Sequence, residues 1–244
     1  MSNVVVTGRR WPSLMLSALT LASALPLSAQ RPATADVRPT VAVMYFTNSA
    51  LVDNASYAPL SKGMAEMLIT ELAQNAGVRV VERDRLQSLI EEQNLQNSDR
   101  VDKETAVKLG KTLGARHLLM GSFVIDPKQN MRIDVRAVNT ETSAIEYTET
   151  ISGKSDKLLE MVMQLGAKVN AGLKLPAMKT ASITTPSAAN PNQFKALMAM
   201  SRALEAEDSK NPAQATKEMR SAVALLPESA MMQSRLASLT KKSQ

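Results

Sequence analysis

The chain has 244 residues, 29 Lys+Arg against 23 Asp+Glu, 3% aromatic residues and no cysteine. Without cysteine neither a disulfide nor a thiolate metal site can form, so we expect stability to come from a packed core, and we expect no lipid anchor. The basic residues are scattered among acidic ones and aromatic residues are scarce, which excludes a typical nucleic-acid-binding surface.

The first 29 residues have the order of a secretory signal peptide. Arg9 and Arg10 precede an apolar run from Leu14 to Leu27, and small residues end the segment at Ala29. A membrane anchor is the alternative, but a spanning helix needs about 20 apolar residues, and Pro26 shortens this run. We expect cleavage before Gln30, a polar tether at 30–39 and a mature net charge of +4, because removing two of the 29 basic residues leaves 27 against 23 acidic ones.

The first regular elements alternate between strand and helix. Val41 to Phe46 is apolar throughout, which is typical of a strand buried on both faces. After a loop from Thr47 to Ser56, helical spacing predicts one amphipathic helix, which Gly77 would cap, and a second one after a short strand at Val78 to Val81. The apolar positions of the two helices are Leu60, Met64, Met67, Leu68 and Leu72, then Leu86, Leu89 and Ile90.

A third helix then leads into a run of strands. Asp102 is a suitable N-cap for this helix, with Glu104 in its first turn and Gly114 at its end. Alternating apolar residues predict strands at 118–124, 131–137 and 145–151 with hairpin-sized connections. Ser155 would cap a last long helix, whose inner stripe is Leu158, Val162, Leu165, Val169 and Leu173. We therefore predict an α/β domain at 40–174, with a mixed sheet that is parallel early, antiparallel late and covered by helices.

A small helical unit is predicted at the C-terminus. Residues 175–191 are rich in Pro, Thr, Ser and Ala and indicate a linker. Amphipathic helices follow at 194–207 and 213–226, forming a helical hairpin within 192–241. A two-helix unit cannot bury all of its methionines, so we expect some of these four to face a partner: Met198, Met200, Met231 and Met232.

Several segments, taken in order, resemble a known family. They are Val41-Ala42-Val43, the helix 63–72, Val78 to Leu86, Glu91-Glu92-Gln93, Leu109 to Ala115, and Gly121-Ser122. Together they resemble the curli production assembly/transport component family, CsgG-like, and more loosely the N-terminal domain of TolB. The resemblance implies a periplasmic, non-enzymatic domain associated with the outer membrane, often within a secretion or surface-assembly system. The absence of the family's lipid-anchor cysteine puts outer-membrane residence in doubt.

The C-terminal helices also resemble a tetratricopeptide repeat. Counting back from Pro227, Ala222, Met219 and Ala215 lie where the second helix of a repeat places small, large and small residues. The first helix fits only with a short insertion, and an ordinary helical hairpin remains the alternative. Because repeats need neighbours to bury their faces, a single copy would dock on its own domain or on a partner.

The sequence predicts no catalytic, cofactor-binding or metal-binding residue. Gly110-Lys111-Thr112 lacks the preceding glycine of a phosphate loop and follows a helix, so we interpret it as a helix end with close packing. His117 is the only histidine, and we expect a surface or hydrogen-bonded side chain. The mixed charges of 82–85 fit solvated ion pairs.

These features predict a non-enzymatic interaction or assembly protein of an envelope or secretion system. We expect protein partners in the cell envelope, further copies of the chain among them, and no cofactor, nucleic acid or direct membrane span. The alternative is a pore-forming outer-membrane secretion channel subunit. In pore-forming relatives, membrane-spanning hairpins extend from connections that match residues 125–130 and 151–156 here, and both segments are too short for that.

Overall fold

The computed structural model describes residues 38–93, 102–177 and 190–242, together with Asn3. The predicted signal peptide, apart from Asn3, the tether up to residue 37 and residues 178–189 of the predicted linker lie outside the described residues. Every element below belongs to the compact unit Val37–Gln244.

The strands form one mixed sheet. They are β1 (Thr40–Val43), β2 (Thr47–Asn48), β3 (Arg79–Val80), β4 (His117–Ile125), β5 (Asn130–Asn139) and β6 (Ile145–Lys154). The order is β3-β1-β4-β5-β6, with β2 beside β4. β1 is parallel to β3 and β4, whereas β4, β5 and β6 are antiparallel. The predicted fold class, parallel early and antiparallel late, is confirmed.

Helices lie on both faces of this sheet. They are α1 (Asn54–Tyr57), α2 (Leu60–Ala73), α3 (Arg83–Glu92), α4 (Lys103–Thr112), α5 (Leu158–Gly172), α6 (Gln193–Asp208), α7 (Pro212–Leu225) and α8 (Ala230–Lys242). The apolar residues of α2, α5 and α6 share one core with β1, β4 and β5, while those of α3 and α4 form a second core on the opposite face. Each fully buried aliphatic side chain contributes roughly 1.5–3 kcal/mol to stability. The apolar residues of each helix therefore lie on the face that is buried, and this produces the helical spacing that could be recognised in the sequence.

Local signals at the helix ends were partly correct. The Asp102 carboxylate accepts the Thr105 N–H at 2.9 Å, and Gly114 has φ +66°, so both predicted ends of α4 are confirmed. The prediction for Gly77 was wrong, because α2 already ends at Ala73 with Gln74 as its C-cap. Ser155 does not cap α5 either, because it lies in a 3-10 turn and its hydroxyl donates to Gln129 Oε1 at 2.9 Å.

The loop predicted at 47–56 contains two short elements, β2 and α1. Segment 47–51 continues along β4 after an interruption at 44–46, with the N–H of Ser49 donating to Phe123 O at 2.9 Å and that of Leu51 to Ile125 O at 3.0 Å. A two-residue strand has no sequence period of its own, so only its pairing partner reveals it.

The C-terminal region contains three helices. α8 follows the predicted pair, and α6 packs against α2, where Gly63 allows Ser201 a very close approach. Met198, Met200 and Met232 are buried, and Met231 packs against the same core. The expectation that some of these methionines face a partner was therefore wrong, because α2 and α8 supply the apolar surface that a hairpin alone lacks.

Candidate functional site

A cleft of about 880 Å³ opens where the α3–α4 layer stops and the sheet continues without a covering helix. Its floor combines apolar side chains from the second core with polar side chains of β4 and β5. The floor residues are Met44, Ile90, Met120, Ser122, Asp134 and Arg136. The cleft therefore combines apolar side chains with polar side chains of the exposed sheet face, an arrangement suited to binding.

Two groups of polar side chains form the walls of the cleft. Gln87, Asp102 and Lys103 come from α3 and the start of α4, and Lys62 with Asn48 comes from the opposite side. Tyr45 lies between the two groups, and its hydroxyl donates to Gln87 Oε1 at 2.7 Å. Because these residues come from separate segments, the fold alone brings them together.

The sheet surface next to the cleft carries both signs of charge. On β5, Arg132 Nη2 lies 2.8 Å from Asp134 Oδ1, and the Thr150 hydroxyl donates to the same oxygen at 2.7 Å. Burial raises the pKa of Asp134, but these two hydrogen bonds outweigh it and hold that pKa below its ordinary value. Arg136 and Thr148, which pair across β5 and β6, are exposed.

Arg83 lies behind the Tyr45 wall, and its placement differs from the prediction of solvated ion pairs. The residue is only 3% exposed. Burial lowers the pKa of its guanidinium, but Tyr45 and Asp208 outweigh that effect and raise the pKa, so Arg83 is a buried cation. Burial also raises the pKa of the Tyr45 phenol. The helical period could have indicated the burial of Arg83, though not its partner, since Arg83, Leu86 and Ile90 share one face of α3.

The remaining candidates from the sequence have structural roles. His117 is buried, and its Nδ1 lies 2.7 Å from Glu146 Oε2, as expected for a hydrogen-bonded histidine. Burial raises the pKa of Glu146, but bonds from Asn139 and His117 lower it below the ordinary value. Gly110 packs against Thr140, where a Cβ would lie 2.8 Å from Cγ2, which confirms the close packing expected there.

Neither a metal-binding cluster nor a membrane-spanning helix occurs in the part of the chain that the structure describes. Across 38–93, 102–177 and 190–242, no three His, Cys, Asp or Glu side chains are grouped so that they could hold a metal ion. Within those same ranges, no helix combines the length and apolar content needed to cross a bilayer.

Three solved structures are similar to parts of the chain. The LpoB C-terminal domain from Escherichia coli is 16% identical, with a TM-score of 0.38 over 48% of this chain and 82% of that one. The PelC dodecamer from Paraburkholderia phytofirmans is 17% identical, with a TM-score of 0.35 over 60% and 94%. TolB from Acinetobacter baumannii is 12% identical, with a TM-score of 0.34 over 56% and 27%.

No curated protein matches the sequence. The tetratricopeptide resemblance of the C-terminal helices stays a prediction. The family described as "Curli production assembly/transport component CsgG" matches residues 22–126. Over these residues the chain carries the sequence pattern of the CsgG family, which confirms the resemblance drawn from its segments.

Proposed function

We propose that this chain is a non-catalytic, periplasmic protein of the cell envelope that binds protein partners within a secretion or surface-assembly system. The binding surface is the cleft together with the adjoining polar face of β5 and β6. The family match supports the envelope and assembly role. The observation that carries the binding surface is the combination of an uncovered sheet face with a polar-walled cleft at its edge.

The chemistry of this face favours a protein over a nucleic acid. Arg132 is paired with Asp134, and Thr148 and Thr150 add hydroxyl groups, so the charge is mixed and the hydrogen-bonding groups are varied. A nucleic-acid surface would concentrate basic residues and place aromatic side chains among them. Mixed polar groups around an apolar centre such as Met120 are typical of protein interfaces.

The connections that carry spanning hairpins in pore-forming relatives are closed turns here. The Asp126 carboxylate accepts the N–H groups of Lys128 at 2.8 Å and of Asn130 at 2.9 Å. The connection at 151–156 is hydrogen-bonded to the connection at 125–130, because the Ser155 N–H donates to Gln129 O at 3.0 Å. This geometry supports an assembly role without membrane-spanning hairpins over the alternative of a pore-forming subunit.

Site-specific photo-crosslinking in cells tests the proposed surface. A crosslinking residue at Thr148 should capture a defined envelope protein, and the additional change Arg136→Glu should abolish the capture by reversing a charge beside it. The matched control is a crosslinker at Ser221, which is exposed on the outward side of α7. Arg220→Glu is the control for charge reversal away from the cleft.

Two outcomes would contradict the proposal. One is equal capture of the same protein from Thr148 and Ser221, which would mean non-specific proximity. The other is that the chain fractionates with the cytoplasm, where no envelope partner could reach the cleft.

A further inference from the structure

Charged side chains from four helices meet around the buried Arg83. Its Nη1 lies 2.8 Å from Asp208 Oδ1 and 2.9 Å from Oδ2. Asp208 is the last residue of α6, and its Oδ2 also lies 2.9 Å from Lys62 Nζ on α2. Asp208 thus joins α6 to both α2 and α3.

A second bridge runs through α8. Arg235 Nη2 lies 2.8 Å from Glu207 Oε2 and 3.0 Å from Asp84 Oδ1. It therefore links the end of α6 to α8 and to α3. The C-terminal helices are attached to the α/β layer by ionic contacts as well as by apolar packing.

The position of the acidic pair on α6 explains why these cations matter. Glu207 and Asp208 lie in the last turn, next to the negative end of the helix dipole, and no basic residue of α6 lies in that turn. Carboxylates at this end destabilise a helix unless cations face them. Lys62 and Arg83 supply those cations only when α6 lies against α2 and α3, and Arg235 supplies a third from α8.

The same cluster contacts the wall of the cleft. Arg83 Nη1 donates to the Tyr45 hydroxyl at 3.3 Å, and Lys62 Nζ lies 5.8 Å from the centre of the Tyr45 ring. Tyr45 and Lys62 both line the cleft. Loss of the ionic contacts would therefore loosen this wall together with the C-terminal helices, leaving the Tyr45 side chain held by its hydrogen bond to Gln87.

We infer that Arg83, Lys62, Arg235, Glu207 and Asp208 form a clamp that fixes α6–α8 on the α/β layer and couples their docking to the shape of the cleft. The clamp is a conformational device that stands on these contacts, independently of any partner. Undocking of α6–α8 and loosening of the Tyr45 wall are one event.

Hydrogen exchange of the purified chain, without a partner, tests the clamp. Asp208→Asn removes the charge facing Arg83 and Lys62, and losing one partner of a buried ion pair is strongly destabilising. We expect exchange to accelerate roughly ten- to a hundredfold in α6–α8 and in residues 44–48, while β4 and β5 keep their protection. The matched control is Glu218→Gln, which removes a surface pair with Arg202 inside the C-terminal helices.

A second pair of variants tests the clamp from the α3 side. Arg83→Gln should give the same two-region pattern, whereas Arg85→Gln, at an exposed position two residues along, should leave exchange unchanged. The double variant Arg83→Gln/Asp208→Asn should accelerate exchange by less than the two single effects combined, because it removes both partners of the Arg83–Asp208 pair instead of leaving one of them buried alone. Acceleration confined to α6–α8, or equal acceleration throughout the chain, would overturn the coupling.

Discussion

Replacement of Gly63 by alanine tests the contact that seats α6 on α2. Gly63 is buried near the start of α2, and a Cβ at this position would overlap Ser201 Oγ and lie 2.9 Å from Ser201 Cβ. Separations below about 3.0 Å do not occur between real Cβ atoms and their neighbours. Either Ser201 turns away or α6 moves outward.

The magnitude follows from three opposing effects. Alanine in a helix interior normally gains about 1 kcal/mol over glycine. Against this, Ser201 would lose the hydrogen bond from its hydroxyl to Leu197 O, now 2.7 Å long, which costs about 1 kcal/mol. Forcing extra volume into a packed core costs about 1–3 kcal/mol more. We expect a net loss of about 1–3 kcal/mol in the free energy of unfolding.

Denaturant unfolding of the parent and of Gly63→Ala measures this difference in the free energy of unfolding. The melting temperature should fall by about 2–4 °C for each kcal/mol lost in a chain of this size. Ser201→Gly removes the side-chain atoms that the new methyl group at position 63 would meet, so the double variant should be less destabilised than the two single changes added together. A Gly63→Ala protein as stable as the parent, or a double variant that shows no relief, would refute the packing argument.

Three further predictions follow from burial, from the pKa of one carboxyl group and from the N-terminus. Leu165 is fully buried, so Leu165→Asp should cost several kcal/mol and lower the melting temperature sharply; an unchanged melting temperature would show that α5 is misplaced. Burial raises the pKa of Glu66, although Arg235 and Arg83 act to lower it. The folded chain therefore holds this proton more tightly than the unfolded chain, and the resulting stability is present below the ordinary glutamate pKa and lost as pH rises through the raised value. Glu66→Gln lacks this loss, so its stability relative to the parent should increase as the pH rises above the ordinary glutamate pKa; a constant difference would contradict the assignment. Finally, intact mass of the protein from the envelope fraction should lack residues 1–29 and carry no lipid, whereas a species that retains Met1 would contradict cleavage.

The sequence alone was sufficient for the order of the main elements of the α/β domain, although it missed α8 at the C-terminus. The stripe Leu158, Val162, Leu165 and Val169 and the alternation along 131–137 each repeat with the period of one element, and the structure buries both. The Asp102 cap and the positive φ of Gly114 depend on residues within one turn. Such signals are local, so they can be recognised before any tertiary contact is known.

The candidate site required the tertiary structure. Tyr45, Lys62 and Gln87 lie in three separate segments, and only the packing of the helices against the sheet makes them one wall. Arg83 was misread because its neighbours in sequence are charged, whereas its partner Asp208 is 125 residues away. The proposed domain boundaries at 40–174, 175–191 and 192–241 stay a prediction. Cleavage within 178–189 by a protease, leaving 40–174 folded, would support them.

The methionines show most clearly the difference between what the sequence indicates and what tertiary packing decides. The sequence predicted that some of Met198, Met200, Met231 and Met232 would face a partner, because a two-helix unit cannot bury them all, whereas the structure buries Met198, Met200 and Met232. These methionines are covered because α2 and α8 pack in the same core as α6. Contacts between separate elements leave no signal in the local sequence, so they could not be predicted from it. A sequence determines which faces must be buried, because that is a property of one element, whereas the partner of each face is decided only when all elements compete for the same core.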